Sequence, residues 1–62
     1  MFKFGDRVII IDGFYKGIMG RTIDYHEVTD EYLISCGLVP LGSHIQKEVD
    51  AWIKSNNLKK VI

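Results

Sequence analysis

Apolar and polar positions alternate from the start of the chain. Residues 7 to 11, RVIII, are β-branched and apolar between Gly5-Asp6 and Asp12-Gly13, the signature of a strand. Alternation places Phe4, Val8 and Ile10 on one face and Lys3, Arg7, Ile9 and Ile11 on the other. The first set is the better core candidate, which leaves Ile9 and Ile11 facing outward and in need of a cover. Gly13 and Gly17 punctuate a turn. Residues 18 to 25, IMGRTIDY, then return as a second strand, in which Gly20 predicts a bulge or sharp bend.

HEVTDE reads as a polar turn and YLISC, residues 32 to 36, as a third strand. GLVPLGSH holds the only proline and two glycines and reads as a loop. Leu38, Val39 and Leu41 are more apolar than a solvated loop requires, and they suit a cover over Ile9 and Ile11. Residues 43 to 57 satisfy two periods at once. Ser43 and Gln46 fit a capping box, Ile45, Val49, Trp52 and Ile53 keep helical spacing, and Asp50 and Lys54 stand four apart. Val49, Ala51 and Ile53 also alternate as a strand would, followed by a turn at KSNN and a last strand, LKKVI. Periodicity by itself favours the helix slightly.

Sixty-two residues make one domain, residues 1–62, with a small core. A chain of this size buries only about 60% of the surface its unfolded form exposes. Cys36 is the only cysteine, so an internal disulfide is impossible, and His26 and His44 have no zinc spacing. Packing or a partner must supply the stability, and 47% hydrophobic content makes an ordered core credible. No stretch reaches the roughly 20 apolar residues of a membrane span, and MFKFGDRVII lacks the pattern of a secretory signal. A lone cysteine then fits a reducing cytoplasm.

The formal net charge is zero, but its distribution is uneven. Residues 1–21 carry four basic and two acidic side chains, a balance of +2. Residues 24–50 carry one basic and six acidic, −5, and residues 54–62 add +3. If the two ends meet, one side of the molecule is basic and the other acidic, an arrangement that orients a charged partner.

From Gly5 the chain reads G-D-x-V-x-I-x-x-G-x-x-K-G-x-x-G, through Gly5, Asp6, Val8, Ile10, Gly13, Lys16, Gly17 and Gly20. This resembles the KOW motif of large-subunit ribosomal proteins and the transcription elongation factor NusG, over residues 3 to 24. The later AWIKSNNLKKVI is similar to the end of small SH3-like barrels, where a strand is followed by a 3₁₀ turn, a leucine and a last strand. The resemblance implies an all-β fold: a five-stranded SH3-like, KOW-type barrel with first and last strands adjacent and a long loop between strands three and four. On that analogy residues 49–53 are strand and 55–57 the 3₁₀ turn, against the helical period. Two departures stand out. The family's ribosomal members are strongly basic, and the segment 37–48 is longer here than their usual hairpin.

The glycines have reasons of their own. Gly13 and Gly17 supply positive φ for a compact loop, and Asp6 can accept backbone hydrogen bonds ahead of strand one. Phe14 and Tyr15 differ, because glycines on both sides push at least one ring out of the loop. One ring in and one out is expected, with Tyr15 outward because its hydroxyl tolerates water. In KOW domains this loop contacts RNA or protein, which the resemblance carries over to Phe14, Tyr15, Lys16 and Arg21, with Lys59 and Lys60 in support. An exposed ring stacks on a base and a neighbouring cation meets phosphate.

The expected function is therefore a non-catalytic module docking on RNA, the ribosome or RNA polymerase. The alternative is a protein-interaction component, an inhibitor or homo-oligomer, using Ile9, Ile11, Leu38 and Leu41. No catalytic residue, cofactor or metal is nominated. Cys36 continues an apolar strand, Trp52 reads as core or half-buried, and His26, Glu27, Asp30 and Glu31 read as solvated.

Overall fold

In a computed structural model, which describes residues 1–61, the chain forms five antiparallel strands in one sheet. They are β1 (Arg7–Ile10), β2 (Met19–His26), β3 (Glu31–Pro40), β4 (Gln46–Lys54) and β5 (Leu58–Lys60), with a 3₁₀ turn over Ser55–Asn57 ahead of β5. The order is β4-β3-β2-β1-β5, so first and last strands are neighbours, as expected. β4 and β5 are the two edges, and the sheet is not closed into a barrel. Among the described residues no helix is long and apolar enough to cross a membrane.

The core is Val8 and Ile10 of β1, Tyr32 and Ile34 of β3, and Leu58 of β5, with Phe2, Tyr15, Ile18, Tyr25, Cys36 and Ile53 packed around it. Alternation on β1 selects Val8 and Ile10, and the pairing of Ile10 with Leu58 extends the same face to β5. Phe4 is not part of the core; it is 70% exposed. The strand parity stops short of it, because residues 3–6 form a turn. There the Lys3 N–H donates to the Asp6 carboxylate at 2.9 Å and the Asp6 N–H donates to the Lys3 carbonyl at 3.1 Å.

Gly20 marks a close approach rather than a bulge. It pairs in register with Val8, and a Cβ there would lie 2.5 Å from the Ser35 carbonyl oxygen and 2.6 Å from Ile34 Cγ2. The bulge falls just after it, between Thr22 and Asp24.

The long loop expected between strands three and four is largely strand. Gly37, at φ +66°, lies in a register shift between Ser35 and Leu38. The ladder then resumes with Leu38 opposite Glu48, Val39 opposite Lys47 and Pro40 opposite Gln46. Glycine here bulges the strand without ending it, and Pro40 sits at the last rung, where a missing N–H is tolerated. Only residues 41–45 remain as a turn, closed by the Leu41 N–H on the Ile45 carbonyl at 2.8 Å. The helical period over 43–57 loses to the alternation: Val49, Ala51 and Ile53 face inward on β4, each half-buried.

Asp30 ties the β2–β3 turn to the 3₁₀ turn. At φ +54° it occupies the left-handed region that aspartate tolerates, and its carbonyl accepts the Ser55 N–H at 3.0 Å. Its carboxylate accepts the Ser55 hydroxyl and, at 2.8 Å, the Tyr25 hydroxyl. The Ser55 bond, then the Tyr25 bond, hold the Asp30 carboxyl below its ordinary pKa, and the Tyr25 phenol is raised by donating to it.

Candidate binding surface

The β1–β2 loop is braced from within. Asp12 accepts the Gly13 N–H at 2.9 Å, and Gly13 and Gly17 sit at φ +92° and +91° as the loop's tightness requires. The Gly17 N–H donates to the Ile10 carbonyl at 2.7 Å and the Ile18 N–H to the Tyr15 carbonyl at 3.0 Å. That last turn sets Tyr15 against the core, while Phe14 stands 87% exposed. One ring is in and one out, but Tyr15 is the inner one. Backbone geometry decides the matter, not the hydroxyl's affinity for water. The Tyr15 ring in turn meets Phe14 edge-on, centroids 4.9 Å apart, and steadies it.

Arg21 is placed away from this loop. It stands directly opposite Arg7, one on β2 and one on β1, with both side chains on the face turned from the core. At about 3.3 Å per residue it lies about 10 Å beyond the loop's base at Ile18. Arg21 donates to the Gly5 carbonyl at 3.0 Å. Among the described residues neither guanidinium has a carboxylate within ion-pair distance, the one ion pair being Lys60 with Asp6 at 3.7 Å.

Lys59 and Lys60 do not act as a pair. Lys59 registers with Ile9, on the same outer face as the two arginines, whereas Lys60 registers with Val8 and is engaged with Asp6. The basic outer face is thus Arg7, Arg21 and Lys59. Lys16 remains exposed in the loop. Met19 and Ile23 flank the arginines with exposed apolar surface, and Ser35 and Cys36 line the far side of the same shallow depression. Burial pushes the Cys36 thiol up, so it stays protonated at neutral pH.

The residues of the alternative interface are scattered. Ile9 is half-buried, Ile11 lies past the end of β1, Leu38 is on the β3–β4 hairpin and Leu41 at its turn. Ile11, Leu38 and Leu41 are all exposed, so the expected cover does not bury Ile11. Trp52 is 45% exposed on β4, edge-on to His26 at 6.2 Å. No group of three metal-ligating side chains occurs among the described residues. Compared with known proteins, the chain matches no family model and no curated sequence.

Sequence reasoning missed Arg7 as a site residue and Asp30 as a structural node. Arg7 was countable. Two strands folded about a loop centred on Phe14 put residue 7 opposite residue 21. Asp30 carried no such signal, because its partner Ser55 is 25 residues away.

Proposed function

We propose that the chain is a non-catalytic, cytoplasmic KOW-type module that binds RNA, free or within a ribosome or RNA polymerase complex. Its sheet is an SH3-like barrel left open between β4 and β5. The strand order, with β5 against β1 and a 3₁₀ turn ahead of it, supports the barrel reading, as does the glycine pattern from Gly5 to Gly20. Phe14 stacks on a base, Lys16 meets phosphate beside it, and Arg7, Arg21 and Lys59 meet the backbone further along the strand. The single observation that carries this is Phe14, held outward on a loop whose neighbouring ring is anchored in the core.

The test is a pull-down from host lysate with tagged protein, with and without ribonuclease. Partners lost on nuclease treatment support RNA contact, and one defined protein retained after it supports the second reading. That second reading is a protein-interaction or assembly component working through Ile9, Ile11, Leu38 and Leu41. The exposure of Ile11, Leu38 and Leu41 on a chain of zero net charge favours it. Lys16→Glu with Arg21→Glu abolishes function on the first reading. Ile11→Asp or Leu41→Asp abolishes it on the second, with circular dichroism showing the variants folded.

A further inference from the structure

β4 is a nine-residue strand that among the described residues pairs only with β3, so its other edge presents a row of N–H and C=O groups that those residues leave unpaired. β5, at the opposite edge, spans only three residues and is too short to match it. Burial along the sheet is uneven in the same place. β1, β2 and β3 each contribute fully buried inward residues (Val8, Ile10, Thr22, Tyr32 and Ile34) beside half-buried ones such as Tyr25 and Cys36. β4 contributes none that is fully buried, Val49, Ala51 and Ile53 being only half-buried. The apolar face therefore continues to an edge where its packing stops.

We propose that this edge is completed by β4 of a second copy, running antiparallel about a two-fold axis through Ala51. The sequence of β4 is self-complementary in that register. Residues 48 to 54 then face their counterparts in reverse: Glu48 opposite Lys54, Val49 opposite Ile53, Asp50 opposite Trp52, and Ala51 opposite itself. Inner residues meet inner residues, and the two-fold makes the Glu48–Lys54 pair twice. Asp50 also lies diagonal to Lys54 of the second copy.

Neighbouring registers are worse. A slip of one residue sets the apolar inner set against the charged outer one. A slip of two in one direction puts Asp50 opposite Asp50, and in the other it cuts the paired stretch to residues 50–54. Charges on an edge strand ordinarily discourage pairing with other chains. Here they select one partner, a second copy, in one alignment. β3 stands between β4 and the β1–β2 hairpin in the strand order, so the paired edge does not include either Phe14 loop.

Sedimentation equilibrium on the full chain tests this. The mass is expected to rise from 7.1 kDa toward twice that value with concentration and to level off there. Glu48→Lys has no charged residue opposite it on β3, where Leu38 stands, so it reads the intermolecular pair. It is expected to raise the dimer dissociation constant about tenfold, and adding Lys54→Glu is expected to restore it. Should the double variant not fold, amide exchange on the unmodified chain decides. Alternate β4 amides, those not donated to β3, gain protection with concentration if the edge is paired. A mass fixed at 7.1 kDa up to about 1 mM, growth beyond the dimer, dissociation unchanged by Glu48→Lys, or exchange independent of concentration overturns the proposal.

Discussion

Arg7 on β1 and Arg21 on β2 are direct cross-strand partners on the outer face of the sheet, and no carboxylate among the described residues neutralises them. Like charges directly opposite each other cost a pair roughly 0.2–1 kcal/mol. An anion between them removes that cost, so the arrangement disfavours the free protein relative to a phosphate-bound one. Arg7→Thr separates the two effects, because among the described residues Arg7's guanidinium, unlike Arg21's, makes no hydrogen bond to the backbone. Urea denaturation is expected to show the variant more stable by about 0.5 kcal/mol. RNA titrations at several salt concentrations are expected to show weaker binding, with a salt slope shallower by about one. A variant that binds unchanged would contradict the proposed contact between Arg7 and phosphate.

Phe14 and Tyr15 are neighbours with opposite roles. Phe14→Ala removes a ring that touches little besides Tyr15, so folding stability is expected to change by less than about 0.5 kcal/mol. Its affinity for single-stranded RNA is expected to fall about 5- to 150-fold, the worth of one stacked base. Tyr15→Ala opens the core and is expected to cost about 2 kcal/mol of stability. Thermal melts and fluorescence anisotropy on both variants check the split.

Gly20 is required for space. A methyl group there meets the Ser35 carbonyl oxygen at 2.5 Å, and backbone in a paired strand cannot swing aside as a side chain does. Gly20→Ala is expected to destabilise by about 1–3 kcal/mol, as overpacking does. Gly42 has open space around it and no positive φ, so Gly42→Ala is the control, with no comparable loss. Chemical denaturation of the two variants side by side gives the comparison.

Asp30 gives the stability a pH dependence at the acid end. Its hydrogen bonds from Ser55 and Tyr25 lower its pKa in the folded chain below the ordinary value of 3.8. The stabilisation is therefore fully present above 3.8 and is lost as pH falls through the lower, folded value. The group is exposed, so the effect is small. Asp30→Asn keeps the left-handed backbone accessible and has no carboxylate to titrate. Melting temperatures between about pH 2 and pH 6 are expected to fall less steeply toward acid in the variant than in the parent.

Much of this fold was legible because local signals agreed with one another. Val8 and Ile10, bounded by glycine and aspartate, announced β1 and its inner face, and Gly13 and Gly17 announced the turn that follows. Where the reading failed, a contact distant in sequence or a local backbone turn had reset the count. Phe4 followed the right parity but lies in the turn held by Asp6. Gly37 and Pro40 look like strand breakers, yet Lys47 and Glu48 supply rungs that keep β3 going. Within the site, the outward ring was legible as a need but not as a choice between Phe14 and Tyr15. The loop's own hydrogen bonds made that choice.

The most direct test of the proposed RNA-binding surface is a two-dimensional amide NMR titration of the labelled chain with a short single-stranded RNA at low salt. The expected result is a continuous set of shifted signals at residues 14–17, Arg7, Arg21 and Lys59, reversed by added salt, with the signals of the turn at 41–45 unmoved. No shift at millimolar RNA, or shifts confined to that turn and Leu38, would contradict it.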